Sequence, residues 1–285
     1  MIHQLICIPY DSGHPHARMG AGPMHLAKYG AVERLQQYGS VMLQTLDISP
    51  RFPTEIGTAF ALHRAGASAV EAALMAGKRP IVLSGNCNSS LGTVAGIQRA
   101  SPEKLLGVIW FDGHGDCNTP ATFNGDFLDA MGISTLTGRC WQALVTTVAG
   151  FRPLPDENVV LVGGHGADLG DKRVLSQSAI EQIPPDTDIL DRLMAAIHRL
   201  TGQGITQIYF HLDVDVLDPT FGMGNEFAPP GGLRPETLIQ CAELLSAHAA
   251  VAALGIASFD PALDINGTVT EVALEVIAAV ARNVH

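Results

Sequence analysis

Two short segments of this sequence carry acidic residues and a histidine at every second position. Asp112, His114 and Asp116 lie in the first segment, and Asp213 and Asp215 lie in the second. In an extended backbone, residues two apart point the same way, so each set is expected to converge on one point. Both segments follow apolar runs typical of strands, and parallel sheets place their ligand sites at the carboxyl ends of strands. We therefore expect both segments to contribute to one site.

Four carboxylates in one site repel one another strongly, so they must either take up protons or be neutralised by cations. A histidine among them favours a divalent metal, and oxygen and nitrogen ligands suit manganese or a neighbouring metal. The ligands outnumber what one ion needs, which indicates two ions that share bridging carboxylates. The alternative is that these aspartates form turns and helix caps. Two such clusters, each at the end of an apolar strand, favour the metal site.

The composition indicates a folded protein with a large core. Hydrophobic residues make up 47% of the 285 residues and charged residues only 16%, which argues against disorder. The formal net charge is −11 and Lys and Arg do not cluster, so nucleic acid is not an expected partner. The five cysteines form no CxxC pair, which suits a reducing compartment. Without a signal-peptide pattern or an apolar stretch of ~20 residues, we expect a cytoplasmic protein that does not cross a membrane.

Short apolar runs alternate with helical patterns along the chain. Most runs are continuously apolar, which is typical of strands covered on both faces. The predicted strands are Leu5–Pro9, Val41–Leu46, Pro80–Ser84, Gly107–Phe111, Asn158–Val162, Gln207–Leu212 and Leu254–Phe259. Helices are predicted over Ala59–Ala76, with His63 at the surface, and over Ile189–Leu200, and a last helix begins with a capping box at 268–271. The alternation predicts an α/β fold with a mostly parallel sheet between helices, in one domain covering 1–285.

The two acidic segments resemble the signatures of the arginase/agmatinase (ureohydrolase) superfamily. The resemblance extends from the first strand to near the C-terminus and includes the Gly-Gly-Leu at 231–233. It implies a three-layer αβα sandwich around a mostly parallel sheet of about eight strands. It also implies two Mn²⁺ ions per subunit, a small amino-acid substrate, and assembly of the chain into a trimer or hexamer.

The resemblance also implies roles for individual residues. The implied metal ligands are the bridging carboxylates Asp112 and Asp213, then Asp116 with Cys87 for one ion, and His114 with Asp215 for the other. Asp116 would also hydrogen-bond the activated water and pass a proton to the departing amine. Asn118 stands where arginases contact the substrate carboxylate, and Asp168 stands where they contact the α-amino group. An ordinary turn or helix cap is the alternative for each of these two loop residues.

Three positions depart from the family pattern. Cys87 replaces a histidine ligand, and a thiolate is softer than imidazole, so this site is expected to bind manganese weakly or to prefer another ion. A buried inert thiol is the alternative. Ser258 stands where arginases have the glutamate that binds the guanidinium. Asp129 lies near the position of the histidine credited with proton transfer, so it is a candidate catalytic residue.

These departures favour a substrate that is neutral at its reacting end. N-hydroxyguanidine is much less basic than guanidine, and the chain also resembles the branch of the superfamily that hydrolyses N-omega-hydroxyarginine, in which a cysteine replaces a metal-binding histidine. We therefore expect an amidinohydrolase that converts arginine or N-omega-hydroxyarginine to ornithine plus urea or hydroxyurea. The alternatives are an agmatinase, a formiminoglutamase, a metal-dependent phosphoesterase, or a metal-poor family member without catalysis.

Overall fold

In the computed structural model, which describes residues 1–49, 52–123 and 127–283, strands and α-helices alternate along the chain. The strands are β1 (Ile2–Ile8), β2 (Tyr10–Asp11), β3 (His14–Pro15), β4 (Ser40–Thr45), β5 (Arg79–Ser84), β6 (Leu106–Asp112), β7 (Val159–Gly163), β8 (Glu181–Ile183), β9 (Gln207–Asp213) and β10 (Val251–Ala257). The α-helices are α1 (Gly22–Leu26), α2 (Val32–Gln36), α3 (Glu55–Met75), α4 (Ser90–Ala100), α5 (Gly132–Leu136), α6 (Gln142–Val145), α7 (Leu169–Ser176), α8 (Ile189–Gly202), α9 (Pro235–His248) and α10 (Thr268–Arg282).

Eight strands form one sheet in the order β4-β1-β5-β10-β9-β6-β7-β8, and each adjacent pair is parallel. The seven strands predicted from the sequence all belong to this sheet. The eighth, β8, was not predicted, because Glu181–Ile183 is three residues long and two of them are polar. The predicted α/β class with a parallel sheet is confirmed.

The central strands are covered by helices on both faces. In β6, Ile109 and Phe111 point into one core, whereas Val108 and Trp110 point into the other. Helices α1, α2, α8, α9 and α10 supply the first core, and α3, α4, α5 and α7 supply the second. This arrangement is the predicted three-layer αβα sandwich. It explains the continuously apolar strand sequences, since both faces of each central strand are buried.

The capping box predicted at 268–271 is wrong. The chain enters α10 through Gly267, which has a left-handed φ of +73°, so Thr268 is already the first helical residue. The Asp264 carboxylate instead accepts hydrogen bonds from the backbone N–H groups of Val269 (3.0 Å) and Thr270 (2.8 Å). A residue upstream therefore satisfies the free N–H groups of the first turn.

The position of His63 in α3 differs from the sequence-based expectation. His63 was expected at the surface of its helix, but it is buried, with Nε2 2.9 Å from Asn88 Oδ1.

Along the described parts of the chain, every helix is too short or too polar to cross a membrane.

Candidate metal centre and active site

The candidate site lies at the carboxyl ends of four strands that are neighbours in the sheet, in the order β5-β10-β9-β6. Cys87 follows β5, Ser258 follows β10, Asp213 ends β9 and Asp112 ends β6, and all four side chains are buried. Residues far apart in sequence meet here because parallel strands end at one edge. The sheet order therefore brings the two acidic segments together, as the sequence predicts.

The chain does not continue as a strand through the first acidic segment. It turns after Asp112, whose Oδ1 accepts a hydrogen bond of 2.6 Å from the backbone N–H of His114. The N–H of Gly113, between these two residues, donates to Asp215 Oδ1 at 2.9 Å. Asp116 has a left-handed φ of +46°. The extended backbone expected through this segment is therefore wrong. The side chains converge because of a tight loop rather than by strand alternation.

The second acidic segment also turns where its strand ends. A short 3₁₀ helix covers Val214–Val216, and Asp213 Oδ1 accepts a hydrogen bond of 2.9 Å from the Asp215 backbone N–H. This turn directs the Asp215 carboxylate towards His114, whose Nδ1 lies 3.1 Å from Asp215 Oδ2.

Two groups of possible ligands result, and they share one carboxylate. Cys87, Asp112 and Asp116 form the first group, and Asp112, His114 and Asp215 form the second; in each group the ligand atoms lie within 4.8 Å of one another. Asp213 lies beside the first group, with Oδ2 3.0 Å from Cys87 Sγ. Two adjoining groups with a common carboxylate fit two divalent ions.

The electrostatics of the first group support the same fit. Burial, then the charges of Asp112 and Asp129, raise the pKa of Asp116 well above its ordinary value. Burial, then Asp215 and Asp112, likewise raise the pKa of Asp213. Within the described residues, Asp116 Oδ2 has no hydrogen-bond partner although it is buried. An orphaned buried carboxylate oxygen among other carboxylates is the arrangement that a cation would neutralise.

In the second group, the positive charge of protonated His114 offsets the negative charges of Asp112 and Asp215. Burial opposes protonation of this imidazole, but hydrogen bonds to Asp112 and Asp215 outweigh it and raise its pKa to about 12. Burial also disfavours the charged form of Asp215, but its hydrogen bond to His114 and the charge of that imidazole lower its pKa. A proton on Nδ1 thus lies between two carboxylates, where a divalent ion could take its place.

Cys87 is buried in contact with acidic and aromatic residues. Burial and the charges of Asp213 and Asp129 raise the pKa of its thiol well above the ordinary value, so a thiolate there requires a compensating cation. Cys87 Sγ also lies 3.0 Å from His211 Nε2 and 3.4 Å from Ser258 Oγ. The sequence analysis did not single out His211; its only signal was its position two residues before Asp213, on the same face of β9.

Asp129 occupies a buried position beside the ligand groups. It accepts hydrogen bonds of 2.9 Å from the backbone N–H of Asn88 and from the Asn86 side-chain amide, and Ser258 Oγ lies 3.5 Å away. Burial raises the pKa of this carboxyl to about 7, although the two hydrogen bonds from Asn88 and Asn86 work in the opposite direction. A group with a pKa near neutrality can accept and release protons under physiological conditions.

A cavity of about 170 Å³ opens above these groups. Its walls include His114, Asp116, Asp129, Asn118, Asp168 and Ser258. Asn118 Nδ2 donates to Asp168 Oδ2 at 3.1 Å, so the two predicted substrate-binding residues are in contact. Asp168 also caps α7, because its side chain accepts a hydrogen bond of 2.8 Å from the Asp171 backbone N–H. The cap alternative is therefore correct for Asp168, whose Oδ1 caps the helix while Oδ2 accepts from Asn118.

Known proteins resemble this chain over nearly its whole length. The family model described as the arginase family matches residues 3–282. The arginase of Bacillus caldovelox is 27% identical and that of Brevibacillus brevis is 26% identical; the alignments cover 96% and 97% of this chain and 96% of each relative.

Solved structures show the same fold. An arginase from Bacillus subtilis has a TM-score of 0.87 at 23% identity, covering 99% of this chain and 98% of the other. Entamoeba histolytica arginase in complex with L-ornithine has a TM-score of 0.88 at 20% identity, covering 98% and 97%. Formimidoylglutamase from Bacillus subtilis has a TM-score of 0.73 at 16% identity, covering 99% and 86%. At these identities the likeness supports the fold alone.

A parallel αβα sandwich with carboxylate, imidazole and thiol groups gathered at the ends of its central strands defines an α/β protein with a candidate metal-binding cluster at the sheet edge. The chain belongs to the arginase family, since the family model spans nearly all of it.

Proposed function

We propose that this arginase-family hydrolase cleaves a guanidine-type C–N bond of an arginine-like amino acid, with N-omega-hydroxyarginine preferred over arginine. Water is the second substrate, and the products are ornithine and hydroxyurea, or urea when arginine is used. The observation that carries the proposal is the pair of ligand groups sharing Asp112 beneath a cavity that also exposes Asn118 and Asp168.

Two Mn²⁺ ions per chain are part of the proposal. The groups Cys87–Asp112–Asp116 and Asp112–His114–Asp215 would hold them, with Asp213 as a further ligand. When bound, such ions act as Lewis acids that activate water near neutral pH and polarise the carbon it attacks. The shared carboxylate and the raised pKa values of Asp116 and Asp213 support this assignment.

Asp116 and Asp129 are the proposed proton-handling residues. Asp116 lines the cavity, and its Oδ2 has no protein partner among the described residues, so this carboxylate can accept a proton from the attacking water and deliver it to the departing amine. Asp129, with a pKa of about 7, can exchange protons with the same cavity. Each transfer returns the carboxyl to its starting state within one catalytic cycle.

The amino-acid end of the substrate is assigned to Asn118 and Asp168. The Asn118 amide donates to Asp168 and Asp171, and a substrate carboxylate would take the place of one of these acceptors. The Asp168 carboxylate can accept from an ammonium group, so the pair matches the two α-substituents of an amino acid. The ornithine named with the Entamoeba histolytica arginase carries the same α-groups. Agmatine lacks the carboxylate and would leave Asn118 without its proposed partner.

The preference for a hydroxyguanidine follows from the groups around Ser258. Serine stands where a guanidinium-binding glutamate is expected, and the nearest carboxyl, Asp129, is partly protonated at neutral pH. A cationic guanidinium therefore finds no fully charged partner at this position. A neutral N-hydroxyguanidine needs none, and the serine hydroxyl can donate to it or accept from it.

The proposal is tested by hydrolysis of a panel of compounds with Mn²⁺ present: arginine, N-omega-hydroxyarginine, agmatine, guanidinobutyrate and formiminoglutamate. We expect the highest kcat/KM for hydroxyarginine, lower activity on arginine, and none on agmatine. Turnover of arginine equal to or faster than that of hydroxyarginine would remove the hydroxyguanidine preference. Hydrolysis of generic phosphate esters alone would refute the proposal entirely.

A further inference from the structure

The Cys87 sulfur contacts a histidine, His211, that is not one of the proposed metal ligands. His211 Nε2 is 3.0 Å from the Cys87 sulfur, and the imidazole is 1% exposed and is not among the residues that line the cavity. The ring therefore contacts no solvent and does not line the cavity.

We infer that His211 is a positioning residue that donates its Nε2–H to the Cys87 sulfur and holds that sulfur towards Asp112 and Asp116. The inference rests on the proposed function, since it concerns how the thiolate ligand is oriented. It adds a residue that contacts neither the substrate nor the ions. Groups that hydrogen-bond metal ligands fix their orientation and tune the strength of the metal bond.

The direction of this hydrogen bond follows from which atoms carry hydrogen. A sulfur that binds a metal is a thiolate and has no hydrogen to give. The contact with His211 can then be a hydrogen bond only when Nε2 carries the hydrogen. A neutral imidazole with hydrogen on Nε2 has a bare Nδ1 that must accept a hydrogen bond.

Tyr209 supplies the group that Nδ1 requires. Its hydroxyl lies 2.9 Å from His211 Nδ1, two residues earlier on the same face of β9, and the ring is also buried. A phenol hydroxyl that donates to Nδ1 fixes the tautomer with hydrogen on Nε2. Gly255, on the adjacent strand β10, leaves the space for this oxygen, because a Cβ there would overlap the Tyr209 hydroxyl. The sheet thus builds a chain from the Tyr209 hydroxyl through His211 to the Cys87 sulfur.

The imidazole is held in plane by Trp110. The two rings stack with their centres 3.6 Å apart and their planes 20° apart. The same indole donates from Nε1 to Asp112 Oδ2 at 2.9 Å. Trp110 therefore orients the shared carboxylate directly and the thiolate through His211. Two of the proposed ligands of this site, Cys87 and Asp112, thus each have an aromatic hydrogen-bond donor in the sheet.

The experiment measures cobalt binding to the intact protein, which does not depend on turnover. Cobalt bound to a thiolate gives a sulfur-to-metal charge-transfer band in the near ultraviolet. The key variants are His211→Asn, whose amide cannot reach the sulfur, and His211→Gln, whose amide nitrogen falls near the position of Nε2. Tyr209→Phe removes the group that fixes the tautomer. His3→Asn is the matched control, because it changes another fully buried strand histidine, in β1.

We expect His211→Asn to weaken the binding of the Cys87-site ion by about 10- to 100-fold, the usual effect of removing such a hydrogen bond. Its charge-transfer band should shift to lower energy, because a thiolate that loses a hydrogen bond becomes easier to oxidise. His211→Gln should stay within threefold of the parent, Tyr209→Phe should weaken binding in the same direction as His211→Asn, and His3→Asn should leave the band unchanged. Melting curves of the metal-free variants check that each one folds.

Two results would overturn the inference alone: an unchanged band and affinity in His211→Asn, or equal losses in His211→Asn and His211→Gln, which would mean that ring shape matters and donation does not. Absence of the band in the parent protein would overturn both the inference and the assignment of Cys87 as a ligand. The substrate panel would still decide the proposed hydrolase activity, so the two failures are distinguishable.

Discussion

Ser258 Oγ lies 3.5 Å from Asp129 Oδ2, so a hydroxyl and a carboxyl with a pKa near 7 meet in the wall of the cavity. Ser258 Oγ also lies 3.4 Å from Cys87 Sγ. This corner links two departures from the family pattern to the proposed cysteine ligand. The net charge of this corner depends on the protonation of Asp129 and on any bound cation, because Ser258 stands where a glutamate would supply a permanent negative charge.

Replacing Ser258 by glutamate should shift the protein towards arginine. A charged hydrogen bond to the guanidinium is worth about 1.5–3 kcal/mol, so the ratio of kcat/KM for hydroxyarginine to that for arginine should fall by at least about tenfold. Ser258 has a φ of +61°, and Ser258→Ala, with the same backbone demand, is the control for strain. An unchanged ratio in Ser258→Glu would refute the role given to this position.

Asp129→Asn should flatten the pH dependence of stability in the metal-free protein. The folded-state pKa is about 7, against an ordinary value of 3.8, so the folded carboxyl keeps its proton between about pH 4 and 7 while the unfolded one loses it. The folded state then binds more protons, and the stability contributed by this group is lost as pH rises through this window. At about 1.4 kcal/mol per pKa unit, the loss is on the order of 4 kcal/mol at most.

The measurement for Asp129 is urea unfolding with chelator from pH 4 to 8. The difference in unfolding free energy between the parent protein and Asp129→Asn should fall as pH rises and level off above pH 7. A difference that is constant across this range would show that the carboxyl titrates as it does in the unfolded chain.

Asp168→Ser should weaken substrate binding without removing the cap of α7. Serine is a good N-cap, so the Asp171 backbone N–H keeps its acceptor and stability should change by less than about 1 kcal/mol. The carboxylate proposed for the α-amino group is lost, so KM should rise at least about tenfold, as expected for a charged hydrogen bond. Steady-state kinetics and thermal melts separate the two effects. If Asp168→Ser and the parent protein had equal KM values, the α-amino group of the substrate would not bind Asp168.

Asp264→Ala should destabilise the fold, whereas Thr268→Ala should not. The Asp264 carboxylate accepts hydrogen bonds from two backbone N–H groups at the start of α10 and from the Thr270 hydroxyl. Loss of such a cap costs about 0.5–2 kcal/mol. Thr268 is the first helical residue and makes no cap, so its replacement should stay within about 0.5 kcal/mol. Chemical denaturation of both variants measures these losses. A larger loss in Thr268→Ala than in Asp264→Ala would support the capping box at Thr268 instead.

The sequence predicts the sheet and the acidic segments because both depend on local pattern. Asp112 and Asp213 end apolar strands, and parallel topology alone brings such ends together. The left-handed Asp116 could not be predicted, because carboxylates from distant parts of the chain set the path of this loop. The backbone N–H of Gly113 donates to Asp215, and those of Gly115 and Cys117 donate to Asp171.

His211 was missed for a related reason. Its spacing from Asp213 alone does not distinguish it from an ordinary core histidine of an apolar strand, and its contact with Cys87 arises only when β9 lies near the residue that follows β5. The partners of Asp129 likewise come from the loop after β5, and neither pattern nor charge in the sequence indicates them.

The central claim is that divalent cations hold the acidic side chains at the sheet edge together, and it is tested most directly by metal content and anomalous scattering on crystals grown with Mn²⁺. The account predicts about two ions per chain, one between Cys87, Asp112 and Asp116 and the other between Asp112, His114 and Asp215, with one ion lost in Asp215→Asn. Fewer than one ion per chain, or anomalous peaks away from these side chains, would contradict it.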